Sequence, residues 1–184
     1  MIEAGVLEGY ESEADASRLG QLFDTHHDRL YRLARRLSAT REEAQDLVQD
    51  AFLRAATANR RMPQGAEAEE AWLVRVLINL SRDRWRRQKV RASNRREAAD
   101  EASPAPEAAY IARLEVQRAL AALAPRRRAV VVLHEMEGFD TAAVARLLGI
   151  SAVTVRWHLS RARGELARVL DGGPLRSTFH DREA

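Results

Sequence analysis

Apolar residues recur every three or four positions over most of the chain, the period of amphipathic helices. The first such run starts at Arg18, puts Leu19, Leu22, Phe23, Leu30, Tyr31, Ala34 and Leu37 on one face and ends near Ser38. Thr40 then stands three residues before Glu43, a capping box that opens a second helix. In that helix Ala44, Leu47, Val48, Ala51, Phe52 and Ala55 form the inward stripe, while Glu42, Asp46, Gln49 and Asp50 make an acidic outer face. Pro63 and Gly65 break the pattern, so 59–69 reads as a loop. A third helix turns Trp72, Leu73, Val76, Leu77 and Leu80 toward the first two, and Trp72 is expected in the core because it lies on that stripe.

The pattern is lost between Glu97 and Ala109, where Glu97, Asp100, Glu101 and Glu107 sit among alanines with Pro104 and Pro106. Such a segment buries too little apolar surface to offset the entropy of ordering, and a flexible linker is expected. Helical periods return over 110–123 and 125–136, with Pro125 at a favourable first position and Gly138 as a stop. Two more helices, 141–148 and 152–170, flank Gly149-Ile150-Ser151, and Gly172-Gly173-Pro174 ends the last. The fold class is therefore all-α: two small helical domains joined by a flexible acidic linker, the C-terminal one containing a helix-turn-helix. The expected divisions are a disordered arm over 1–17, a first domain over 18–92, the linker over 93–109, a second domain over 110–172 and a tail over 173–184.

Composition agrees with this reading, since hydrophobic residues are 46% but aromatics only 5%, with 9 Gly and 5 Pro in 184 residues. A chain so poor in turn formers and aromatics is unsuited to a sandwich or barrel. The net charge is only +3, yet the basic residues cluster: Arg82, Arg84, Arg86, Arg87, Lys89 and Arg91 are opposed only by Asp83. Clustered arginines point to phosphate partners in a way a small net charge does not. The absence of cysteine excludes disulfides, thiol catalysis and Cys-ligated zinc. Residues 1–20 lack the basic start and apolar core of a signal peptide, and no run approaches the roughly 20 apolar residues that span a bilayer. A soluble, cytoplasmic protein without membrane insertion is expected.

The final helix pair carries the most chemical information. Ala145, Gly149 and Val155 have helix-turn-helix spacing: a small residue at the helix crossing, a glycine for the turn, and a branched apolar residue packing the second helix on the first. Ser151 suits the N-cap of that second helix, whose inward stripe is Val155, Leu159, Ala162, Leu166 and Val169. Arg156, Trp157, Ser160, Arg161 and Arg163 are left largely outside, as a helix entering the major groove needs. An ordinary antiparallel pair with solvated arginines has the same spacing. Catalytic readings are poorly supported, because adjacent His26 and His27 diverge on a helix, while His134, His158 and His180 form no triad. No catalytic residue, metal site or cofactor is expected.

Taken together, three stretches resemble the extracytoplasmic-function group of bacterial sigma factors, the dissociable promoter-recognition subunits of RNA polymerase. They are 43–52 (EAQDLVQDAF), 71–79 (AWLVRVLIN), and the C-terminal set of 147–151 (LLGIS), Thr154-Val155-Arg156 and Arg161-Ala162-Arg163. The resemblance runs from about Leu19 to Leu170 in the family's domain order.

The resemblance implies a role for each surface. Asp46, Gln49 and Asp50 match positions that bind core RNA polymerase, whose β and β′ subunits are the implied partner. Asn79 matches a contact to the opened strand of the minus-ten promoter element, with Arg82, Arg84, Arg86 and Arg87 near its phosphates. The loop 59–69, with Met62 and Pro63, corresponds to one that captures a flipped base; Glu69 stands where an aromatic is common. Thr154, Arg156, Trp157, His158, Ser160, Arg161 and Arg163 would read promoter DNA at the minus-thirty-five element, Trp157 replacing a small residue and Ala143 a glutamate. An anti-sigma factor is a further implied partner. Two other functions fit parts of the sequence: an autonomous helix-turn-helix regulator, which leaves the acidic helix and Asn79 unexplained, and an adaptor that sequesters another protein.

Overall fold

The computed structural model describes residues 3–58, 62–91 and 107–170. Among the described residues there are seven α-helices: α1 (Glu3–Leu37), α2 (Arg41–Ala58), α3 (Ala66–Arg91), α4 (Glu107–Ala122), α5 (Pro125–Val131), α6 (Thr141–Leu148) and α7 (Ala152–Leu170). A π-helical turn, Val132–Met136, continues α5. The expected linker lies almost wholly outside the described residues, as does the whole tail over 173–184.

Local signals account for the helix starts. Thr40 Oγ1 accepts from the Glu43 amide at 3.2 Å, and Glu43 reaches back to the Ala39 amide at 2.9 Å, so free donors at the head of α2 are satisfied from both sides. Asp140 caps α6 by accepting from the Ala143 amide at 2.6 Å. Elsewhere the boundaries depart from the pattern. α1 begins at Glu3 rather than Arg18, because residues 3–17 contain no proline and include good helix formers that need no apolar period. The loop expected over 59–69 ends at Gly65, whose φ is +100°, and α3 starts at Ala66. α4 starts at Glu107, three residues ahead of the expected 110.

α1, α2 and α3 pack on one another as an N-terminal bundle, and α7 packs on α4, α5 and α6 as a C-terminal one. The α2 stripe of Ala44, Leu47, Val48, Ala51, Phe52 and Ala55 is buried as its period predicts. Trp72 is half-buried against the core, as expected for its stripe. On α3, Val74 and Ile78 are buried beside Leu73 and Leu77, more than one stripe accounts for. The cause is that α3 touches α5 and α6 as well as α1 and α2. One apolar cluster therefore runs through both bundles, from Leu30 and Leu77 to Val130, Val144 and Val155.

Candidate functional site

The C-terminal helix pair has the geometry its sequence predicts. Gly149 adopts φ +64°, ψ 40° and closes α6, the left-handed conformation glycine reaches without a Cβ penalty. Two residues later Ser151 Oγ accepts from the Thr154 amide at 3.1 Å, capping α7, and lies 2.8 Å from Thr154 Oγ1. Val155 is fully buried and locks α7 onto the preceding helices, a burial worth about 1.5–3 kcal/mol. Arg156, Trp157, Ser160, Arg161 and Arg163 all face solvent.

His158 does not join them. It is buried on the same face as Val155, Leu159 and Ala162, since positions i, i+3, i+4 and i+7 share one side of a helix. The assignment of His158 to DNA is thereby corrected to packing. Trp157 is half-exposed between two guanidinium groups: Arg127 Cζ lies 5.6 Å from its ring centroid and Arg161 Cζ 5.7 Å. Arg127 also binds Glu165 at 2.7 Å, and Arg163 binds Glu135 at 2.7 Å, so two ion pairs hold α7 against α5 and its π-turn. The Arg163 hydrogen bond holds the Glu135 carboxyl below its ordinary range. Arg127 was not singled out by the sequence; the signal available was the basic run 126–128 behind Pro125.

A second surface is the outer face of α2, where Asp46, Gln49 and Asp50 are all exposed. Asp46 is tied to α3 through Arg84, whose Nη2 lies 2.6 Å from Asp46 Oδ2 and whose Nη1 donates to the Glu43 carbonyl at 3.0 Å. Gln88 adds a bond to Glu43 at 2.6 Å. Beside this face, α1 and α2 enclose an apolar groove of about 750 Å³ lined by Leu19, Phe23, Tyr31, Val48, Phe52 and Leu53. Phe23, expected inside, is 44% exposed there, and Leu53 is 56% exposed.

The third surface is the basic end of α3. Asn79, Arg86 and Arg87 are exposed; Arg86 pairs with Asp83 at 2.9 Å, and Arg87 Nε donates to the Asp83 carbonyl at 3.3 Å. Arg82 is half-buried, and desolvation, followed by repulsion from Arg126, lowers its pKa below the usual arginine value. Pro63 is half-buried, but Met62 is 6% exposed and belongs to the core. An unbranched thioether fills irregular gaps well, so Met62 as a wall of a base-capturing loop is corrected to a core residue. Glu69, expected in the loop, is instead in α3 and bonded to Arg18 at 3.3 Å.

These surfaces coincide with known family segments. Residues 22–91 match the Sigma-70 region 2 family, and residues 113–166 match Sigma-70, region 4. The chain is 40% identical over 160 residues to the ECF RNA polymerase sigma factor SigM of Mycobacterium tuberculosis, covering 85% of this chain and 79% of that one. It is 33% identical over 164 residues to the RNA polymerase sigma-E factor of Streptomyces avermitilis, covering 86% and 88% of the two chains. Among solved structures it resembles the sigma factor RpoE in complex with the anti-sigma factor NepR from Bartonella quintana, with TM-score 0.66, 26% identity and coverage of 83% and 96%. It also resembles CnrH in complex with the cytosolic domain of CnrY, with TM-score 0.62, 28% identity and coverage of 89% and 96%. With both regions present in order, and with relatives matched over most of their own length, the chain belongs to the extracytoplasmic-function group of RNA polymerase sigma factors.

Proposed function

We propose that this sigma factor works through three separate surfaces and catalyses no reaction itself. Asp46, Gln49 and Asp50 bind core polymerase, with the apolar groove beside them adding contact area. Asn79, Arg86 and Arg87 engage the opened minus-ten strand. The exposed arginines of α7, with Trp157, read the minus-thirty-five element in the major groove. The division into functional domains at 18–92 and 110–172 follows from the same assignment, and the cytoplasm is the compartment in which it acts. Among the described residues no helix is long and apolar enough to cross a membrane. That one structural relative is bound to the anti-sigma factor NepR and another to the cytosolic domain of CnrY supports a partner of the anti-sigma kind for this chain also.

The observation that carries the reading is the exposure of the acidic α2 face on one bundle and of the capped arginine helix on the other. A self-sufficient DNA-binding regulator needs only the second. Purified core polymerase, the chain and a promoter template separate the alternatives: the sigma factor gives promoter-dependent transcripts, an autonomous regulator binds DNA without polymerase, and a sequestering adaptor does neither.

A further inference from the structure

Trp157, Arg161 and Glu165 follow one another at four-residue steps on α7 and so form a single row along the helix. A guanidinium and a carboxylate at that spacing ordinarily pair, although with the arginine on the N-terminal side the pairing is the weaker of the two orders. Here they do not pair. Glu165 Oε1 is held at 2.7 Å by Arg127 Nη1, which reaches across from α5. The Arg127 side chain is 12% exposed and that of Glu165 28%, so their attraction is less screened than one at the open surface. Arg161 is exposed, and its guanidinium lies 5.7 Å from the Trp157 ring centroid instead. Arg127 shares that ring at 5.6 Å, and because Glu165 balances its charge, one indole can serve both cations. The nearby Arg163 shows the other outcome, its guanidinium being taken up by Glu135 at 2.7 Å.

We infer that Arg127 is a positioning residue for promoter recognition: by occupying Glu165 it keeps that carboxylate from capturing Arg161, whose donor fork stays beside Trp157 and open toward a base. The inference rests on the proposal that the exposed arginines of α7 read the minus-thirty-five element, and it takes Arg161 as the one that reads a base. Arg127 has little surface left with which to meet DNA, so its influence on base choice passes through α7. The guanidinium is a planar fork whose use depends on its orientation. Presented in the plane of a base pair it can bond the two acceptors of guanine at once, and drawn along the helix toward Glu165 it cannot. Trp157 supplies the surface on which Arg161 rests when no carboxylate holds it. The row on α7 thus needs a residue from α5 to keep its one acid occupied.

The test uses the full-length chain bound to core polymerase and promoters carrying each single-base change in the upstream element. Arg127→Gln should reduce discrimination at one base pair by about three- to tenfold, the base pair that Arg161→Ala flattens, because the freed Glu165 then draws Arg161 aside. Adding Glu165→Gln to Arg127→Gln should restore most of the discrimination, a recovery that a mere loss of packing around α5 cannot give. Circular dichroism checks that each variant keeps its helices. In the unaltered chain, where folding is not in question, NMR couplings across the hydrogen bond from the Glu165 carboxylate show which guanidinium it holds: Arg127 is expected, and Arg161 overturns the inference. Discrimination unmoved by Arg127→Gln, or no recovery in the double variant, also overturns it. Either of these results beside a flattened base pair in Arg161→Ala leaves the base reader in place, whereas a uniform loss for Arg161→Ala rejects the base reader and, with it, the part given to Arg127.

Discussion

Arg84 Nη2 sits 2.6 Å from Asp46 Oδ2, so a single ion pair joins the acidic face of α2 to the basic end of α3. The proposed polymerase contact and the proposed minus-ten surface thus share a strut. Asp46 is exposed and Arg84 half-buried at the surface, and surface pairs contribute about 0–1 kcal/mol. Replacing Asp46 and Asp50 together by Lys should therefore leave helical content intact and shift stability by no more than about 1 kcal/mol. Association with core polymerase should be lost. A folded double variant that still co-purifies with polymerase would contradict the assignment.

The arginines of α7 are expected to divide their work. Arg161, steadied over the Trp157 ring, is the proposed base reader, and Arg161→Ala should cost about 1–3 kcal/mol and relax preference at one upstream base pair. Arg156→Ala should weaken all sequences alike and reduce the salt slope by about 1. Binding measured over single-base variants of the upstream element checks both; a uniform loss for Arg161→Ala shows the base reader to be misassigned.

Glu135 offers a titration probe of DNA binding. Its carboxyl pKa is lowered in the folded chain by Arg163, so the stability it lends is present above the unfolded pKa and lost as pH falls through the folded one. If Arg163 leaves Glu135 for a phosphate, the Glu135 pKa should rise toward its ordinary range on DNA binding, and Arg163→Ala should produce the same rise without DNA. Carboxyl NMR titration in the free and bound states measures it. An unmoved Glu135 in the complex means that Arg163 stays with its intramolecular partner.

Gly149 is the position where the turn depends on backbone freedom. No atom lies within 4 Å of an added Cβ, but φ +64° is strained for any L side chain. Gly149→Ala should cost about 1–2 kcal/mol, a fall in Tm of roughly 2–8 °C for a chain of this size. A thermal melt at unchanged Tm would show that the turn relaxes to another conformation.

Much of this architecture was legible in the sequence because it is local. The α2 stripe is a period, Thr40 with Glu43 is a capping pair, and Gly149 with Ser151 is turn and cap chemistry within a few residues. The misplacements concern residues whose environment is set from a distance. Met62 and Phe23 exchange the expected order of exposure: the methionine enters the core, and the ring lines an open groove beside Phe52. His158 follows the helical period inward, although the resemblance placed it among the DNA-reading residues. Arg128 gave no local sign of its burial, because the Leu37 carbonyl it binds lies 91 residues away. For Val74 and Ile78, a second buried stripe on α3 became intelligible only with the C-terminal bundle packed against it.

As a sigma factor, the chain confers promoter choice on core RNA polymerase, here through two DNA elements. The most direct test is transcript sequencing from a randomised promoter library transcribed by core polymerase with the chain, without it, and with the Asp46→Lys, Asp50→Lys variant. Chain-dependent transcripts whose templates share one element near −10 and one near −35 are expected, and they should disappear with the variant. Transcripts unaltered by the chain, from templates it nonetheless binds in the absence of polymerase, would contradict it.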